Sequence, residues 1–196
     1  MEMLNCLRDG WSTCTRCGLH ETRQRVVFGS GSPRARLMVV GEVPGANEDE
    51  AGVPFVGQAG KVLDEAIRQA HLVRRQLFIT NTILCRPPGN RDPLPEEQHA
   101  CWQRLLNTID VVDPGCLLLV GKPAAQLVLG REVLITKERG TGGQVTLAGR
   151  NFEYVLALHP SYIMRQKPEM GGTRMRRELS ADILKAWNVA MDAIPF

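Results

Sequence analysis

Four short apolar runs constrain the fold of this chain more than any other feature. Arg36-Leu-Met-Val-Val-Gly41, Leu77-Phe-Ile-Thr-Asn81, Cys116-Leu-Leu-Leu-Val-Gly121 and Phe152-Glu-Tyr-Val-Leu-Ala-Leu158 are of strand length and end at a glycine or a polar residue. Near-continuous apolar runs of this length read as strands buried on both faces. The segments between them read as helices. Val62, Leu63, Ala66, Ile67 and Ala70 share one helical face. Another helix is predicted to start near Pro95, because proline is tolerated in a first turn and Glu96 and Glu97 suit its positive end. A short helix runs through Leu129, and the last helix is expected to bury Leu179, Ile183, Leu184, Trp187, Met191 and Ile194 on one face. Strands alternating with helices predict an α/β fold: a three-layer sandwich with a central, mainly parallel four-stranded sheet flanked by helices. At 196 residues the chain suffices for one sizeable core, so residues 1–196 are expected to form a single domain.

In such sheets ligands bind beyond the carboxyl ends of the strands. Three strand ends carry polar, conformationally special sequences: Gly41-Glu-Val-Pro-Gly45, Thr80-Asn81 and His159-Pro-Ser161. They are expected to converge on one edge. The net charge of +3 excludes little, but its distribution is uneven. Arg23, Arg25, Arg34 and Arg36 lie in an acid-free stretch, and Arg165 to Glu178 holds five basic residues against two acids. These read either as a phosphate-contacting surface or as solvated faces. No run approaches the ~20 apolar residues of a membrane span, and no secretory signal opens the chain, so a cytoplasmic protein with no membrane association is expected.

Six cysteines in an intracellular chain argue for a metal site rather than disulfides. Cys14 and Cys17 form a C-x-x-C pair, and Cys85 and Cys101 are candidates to complete a four-thiolate site. By spacing alone that site suits an iron–sulfur cluster or a structural zinc equally, and buried free thiols remain the plainer reading. Cys116 sits inside an apolar strand and reads as core. Nothing assigns a role to Cys6.

Three segments, taken in order, resemble the family 4 uracil-DNA glycosylases, the iron–sulfur branch of that superfamily. They are Gly41-Glu-Val-Pro-Gly-Ala-Asn-Glu-Asp49 with Gly52-Val-Pro-Phe-Val-Gly-Gln-Ala-Gly60, then Thr80-Asn-Thr-Ile-Leu-Cys-Arg-Pro-Pro-Gly-Asn-Arg91, then His159-Pro-Ser-Tyr-Ile-Met-Arg165. The order of the cysteines is similar too. The resemblance spans roughly residues 11 to 190 and implies a [4Fe–4S] cluster on Cys14, Cys17, Cys85 and Cys101, in an N-terminal cluster-binding segment joined to the glycosylase domain. The cluster is expected to be structural, tethering that segment to the proline-rich loop over residues 85–95 and the following helix. One departure stands out: Val43 occupies a position where the family has alanine or glycine, which bears on pocket width and turn stiffness.

The implied activity is hydrolysis of the N-glycosidic bond of deoxyuridine in single- or double-stranded DNA, by a monomer, leaving an abasic site. The target nucleotide must leave the base stack to be reached. Phe55 would stack on uracil, or else be a packed loop aromatic. Asn81 would read the Watson–Crick edge, donating to O4 and accepting from N3–H, or else be a strand-end turn residue. His159 would donate to O2 as negative charge develops there, or else be a structural histidine. Glu48 would polarise the attacking water and stabilise the sugar cation, with Glu42 and Asp49 as rivals. Asn90 would help position water or sugar, and the Val43 N–H would touch the base. On the Ser161–Met164 turn, Ile163 or Met164 would wedge into the gap left by the flipped base, with Arg165 on a phosphate. The competing readings are a weak or inactive DNA-binding member of the same fold and a zinc-stabilised nucleotide-processing enzyme. The cross-linking type of the superfamily is disfavoured, because the stretch from Asn81 to Pro95 is short and lacks histidine.

Overall fold

The computed structural model describes residues 2–193, and all four apolar runs are strands. In chain order the elements that build the fold are α1 (Glu2–Trp11), β1 (Ser30–Gly31), β2 (Leu37–Gly41), α2 (Ala46–Ala51), α3 (Gln58–Gln69), β3 (Phe78–Asn81), α4 (Pro95–Val112), β4 (Cys116–Val120), α5 (Lys122–Leu129), α6 (Ile135–Glu138), β5 (Gly142–Leu147), β6 (Arg150–Ala157), α7 (Pro160–Met164) and α8 (Gly172–Asp192). No described helix is long and apolar enough to cross a membrane.

The sheet has six strands in the order β1-β3-β2-β4-β6-β5, not four. The four expected strands form its parallel centre, and the two added ones pair antiparallel at the edges. Both edges lack the signal that identified the others. β1 is two residues long. β5 begins with two glycines and shows an alternating, half-exposed pattern. It joins β6 through a tight turn in which Ala148 (φ 51°) and Gly149 (φ 80°) both take positive φ, where Asn-Gly would have announced a hairpin.

Successive side chains of the central strands point to opposite faces. Met38, Val40, Phe78, Leu117, Leu119 and Leu156 pack with residues of α1, α4 and α5. Leu37, Val39, Ile79, Leu118, Val120 and Val155 pack with residues of α3, α7 and α8. This two-sided burial makes the runs continuously apolar. The buried stripe of α8 is Leu179, Ile183, Ala186 and Ala190. Leu184 and Met191 are instead 41% and 42% exposed, because each lies about 100° around the helix from a stripe position. Trp187 is half-buried against the core, and Ile194 lies outside the described residues.

α8 is clamped to the end of α6 by Asp182, which is 2% exposed and paired with Arg139 (Nε–Oδ2 2.9 Å). Burial holds the Asp182 carboxyl above its usual range despite the guanidinium. Removing one partner leaves the other partly buried and unpaired. Asp182→Ala is expected to cost about 2 kcal/mol, moderated by Glu178 near the same arginine, and to lower the urea midpoint accordingly. A loss below about 0.5 kcal/mol would mean that the pair contributes no more than a surface ion pair.

Candidate active site

The chain runs from β2 out to β3, then returns to β4 on the other side of β2. The loops after β2 and β4 therefore leave in opposite directions and open a crevice at the carboxyl ends of the sheet. A cleft of about 800 Å³ lies there, lined by Glu42, Phe55, Asn81, Gly121, Lys122 and His159 among others. The three strand ends singled out in the sequence all reach it.

Asn81 closes β3 opposite Gly41. Its amide is buried, and Oδ1 has no hydrogen-bond partner among the described residues. A buried acceptor left open costs free energy unless something fills it. Phe55 stands beside it, buried, with a left-handed backbone (φ 51°) that turns its ring into the cleft wall. Gly41 makes this approach possible. A Cβ there would collide with the Asn81 amide oxygen and the Phe55 ring, 2.7 Å from Cζ. Gly60 serves the same loop, since a Cβ at its position would overlap the Phe55 carbonyl.

His159 caps α7 and lies 5.7 Å from the Phe55 ring, centroid to centroid. The Ser161 N–H donates to His159 Nδ1 at 3.1 Å, and the Ser161 hydroxyl is 2.7 Å from the same nitrogen. Nδ1 is thus an acceptor, which puts the imidazole proton on Nε2. Burial, helped by nearby Arg165, pushes the His159 pKa down to about 4. The ring is therefore neutral at physiological pH and presents one N–H donor.

The acids of the first loop separate clearly. Glu48 lines the cleft, and its carboxylate is held by three backbone donors: Gly45 N–H on Oε2 (3.1 Å), and Val56 and Gly57 N–H on Oε1 (2.9 and 2.7 Å). Asp49 turns the other way. It accepts from the Gln24 and Arg25 N–H groups and pins the N-terminal segment, which removes it as a rival of Glu48. Glu42 lines the cleft, and burial, with a smaller contribution from Asp92, pushes its carboxyl up to about 7. Val43 also lines the cleft while packing partly against the core. Asn90 reaches it on an exposed turn with φ 57°, its Oδ1 accepting from Arg86 Nε at 2.7 Å.

On α7 the two wedge candidates part. Ile163 is fully buried beneath the loop and is a core anchor, which corrects its reading as a DNA contact. Met164 is 43% exposed at the cleft mouth, next to the exposed Arg165. Lys122 escaped the sequence reading although it directly follows Gly121 at the end of β4. The strand-end logic that found Glu42, Asn81 and His159 would have found it too.

Cys85 and Cys101 are buried, and Cys14 and Cys17 are half-buried against the same core cluster. Cys17 lies in the field of Cys101 and Cys14, and Cys85 in that of Cys101 and Cys17, so the four thiols are neighbours. Burial pushes the Cys85 thiol up to about 11, although Arg23 Nη1 donates to its sulfur at 3.3 Å. Among the described residues no three His, Cys, Asp or Glu side chains are gathered as a single-ion site. Cys116 is a core residue in β4, and Cys6 is exposed on α1.

A flat apolar ring, an unpartnered amide and a neutral N–H donor around one cleft suit a planar heterocycle with hydrogen-bonding edges. The model of the family described as the uracil DNA glycosylase superfamily matches residues 28–188. A type-4 uracil-DNA glycosylase of Thermotoga maritima is 38% identical over 186 residues, 94% of this chain and 93% of that protein. Those of Archaeoglobus fulgidus and Pyrobaculum aerophilum are 34% and 39% identical, covering 94% and 86% of this chain and 92% and 88% of theirs.

Proposed function

The chain belongs to the uracil DNA glycosylase superfamily, on its type-4 branch, and from that premise we infer that it hydrolyses the N-glycosidic bond of deoxyuridine in DNA and leaves an abasic site. The observation that carries this reading is the open Asn81 amide oxygen beside Phe55 and His159. Uracil stacks on Phe55. Asn81 Oδ1 accepts from N3–H while its NH₂ donates to O4, a pattern that cytosine reverses. His159 Nε2–H donates to O2, where negative charge gathers as the bond breaks. Glu48, fixed by its backbone donors, faces the sugar cation and polarises the attacking water. Glu42 and the Val43 N–H line the base, and Asn90 orients water or sugar. Met164 fills the gap in the stack, with Ser161 and Arg165 towards the backbone. Glycosidic hydrolysis needs no amine nucleophile, and the chain acts as a monofunctional glycosylase, a single-domain monomer in the cytoplasm. The inactive DNA-binding reading is not favoured, because type-4 glycosylases match nearly the whole chain and Asn81, Glu48 and His159 all line the cleft.

The four thiols are neighbours, two of them buried, and as thiolates such a set can hold a zinc or a [4Fe–4S] cluster; the resemblance to the iron–sulfur branch favours the cluster. Cys14, Cys17, Cys85 and Cys101 would hold a [4Fe–4S] cluster, which supplies a cross-link between the N-terminal segment, the proline-rich loop and α4. Cys85→Ala should lower iron content and thermal stability together. Full iron content in that variant would remove Cys85 from the ligand set.

The function is tested with oligonucleotides carrying one uracil, single- and double-stranded. Alkali-sensitive cleavage is expected at uracil and not at cytosine or thymine. Folded, iron-loaded protein that leaves uracil in place would return the chain to the inactive DNA-binding reading, with Val43 the first residue to revert to alanine.

A further inference from the structure

Arg104 is the largest fully buried side chain among the described residues, and nothing in the proposed chemistry uses it. It lies on α4, one turn after Cys101. Its fork is spent on the end of β3: Nη2 donates to the carbonyls of Asn81 (2.6 Å) and Thr82 (2.8 Å), and Nη1 to Thr80 Oγ1 (3.3 Å). Nε has no partner among the described residues. Burial lowers its pKa to about 10, so it remains a cation at neutral pH. It feels the charge of the Cys101 and Cys85 thiols, and among the described residues no carboxylate is paired with it.

A buried cation without a counter-charge is costly. Buried neutral thiols do not supply one. Metal-bound cysteines do, because they bind as thiolates. The guanidinium is therefore balanced when the cysteine site is loaded, and the strand it grips carries the base-reading amide.

We propose that Arg104 is a positioning residue that couples the metal-bound thiolates of Cys85 and Cys101 to Asn81, its charge balanced on one side and its fork holding the Asn81 and Thr82 carbonyls on the other. The inference rests on the glycosylase and cluster reading above. It makes the cluster more than a tether, because loading the cysteine site favours the arrangement of β3 that reads uracil.

Two substitutions separate charge from fork. Arg104→Lys keeps a cation but is shorter and lacks the second nitrogen that reaches Thr80, so it cannot reproduce the three bonds to the end of β3, and Arg104→Gln removes the charge. Holoproteins are compared by iron per chain, rate of iron loss to a chelator, and kcat and KM for uracil release. Both variants should lose about tenfold or more in kcat with little change in KM for DNA, as expected when an amide is misplaced rather than DNA released. Iron loss should quicken about tenfold in Arg104→Gln and stay near the parent rate in Arg104→Lys. Full kcat in Arg104→Lys would overturn the positioning role, and unchanged iron loss in Arg104→Gln would overturn the charge coupling. If Arg104→Gln does not fold, Arg104→Lys still decides: full kcat overturns the proposal, and a kcat loss with parent-like iron retention supports it. A parent protein that holds no iron, or releases no uracil, would instead sink the reading on which this one stands.

Discussion

Asn81→Ala will release uracil at least about 100-fold more slowly than the parent protein, while DNA binding changes by less than about threefold. The asymmetry follows from where the amide sits. It is buried at the end of β3, and its oxygen finds no partner within the described protein. On the proposed reading only an extruded base reaches it, so its hydrogen bonds belong to the flipped state and not to the encounter with the duplex. Alanine removes both the acceptor for N3–H and the donor to O4, and leaves those uracil atoms desolvated and unpaired. The check is single-turnover release at saturating protein, beside a binding titration on the same oligonucleotide. Equal losses in both would assign Asn81 to holding DNA rather than reading the base.

His159→Ala should slow release by about 100-fold as well, the loss expected when one donor to a developing anion is removed. It also predicts a signature outside catalysis. Burial places the folded-state pKa near 4, below the ordinary 6.5 of the unfolded chain. The unfolded state therefore takes up the proton first as the solution is acidified. Stability is complete above about 6.5 and is lost as pH falls towards 4. Between pH 7 and pH 5 this single group should remove roughly 2 kcal/mol of the parent's stability. His159→Ala should show a shallower decline by that amount in urea unfolding at the two pH values. Parallel declines would mean that the ring is protonated in the folded state, and the neutral Nε2–H donor would have to be abandoned.

Much of the fold was legible because the central strands are buried on both faces, and so advertise themselves as unbroken apolar runs. The edges were not. β5 carries half-exposed alternation behind two glycines, and β1 is too short to leave a pattern. The buried stripe of α8 was misjudged at Leu184 and Met191 because large apolar residues were counted and the alanines that touch the sheet were passed over. Glu42, Asn81 and His159 were readable as strand-end polar groups, whereas Phe55, Glu48 and Asn90 entered only with the family resemblance, and the loop acids could not be sorted. Glu42, Glu48 and Asp49 are alike in sequence, and only backbone geometry turns Asp49 onto Gln24 and Arg25 and leaves the other two in the cleft.

The amino-acid sequence by itself determined the alternation of strand and helix, and with it a sheet whose carboxyl edge gathers the loops after Gly41, Asn81 and Leu158. These are local consequences of side-chain periodicity and backbone preference, written in neighbouring residues. Tertiary structure alone decided which of Ile163 and Met164 meets solvent, that Asn81 is left with an open acceptor, and that a buried Arg104 on α4 donates to the carbonyls at the end of β3. Burial and hydrogen-bond partnership depend on groups distant along the chain, brought together only when the two faces of the sheet are packed.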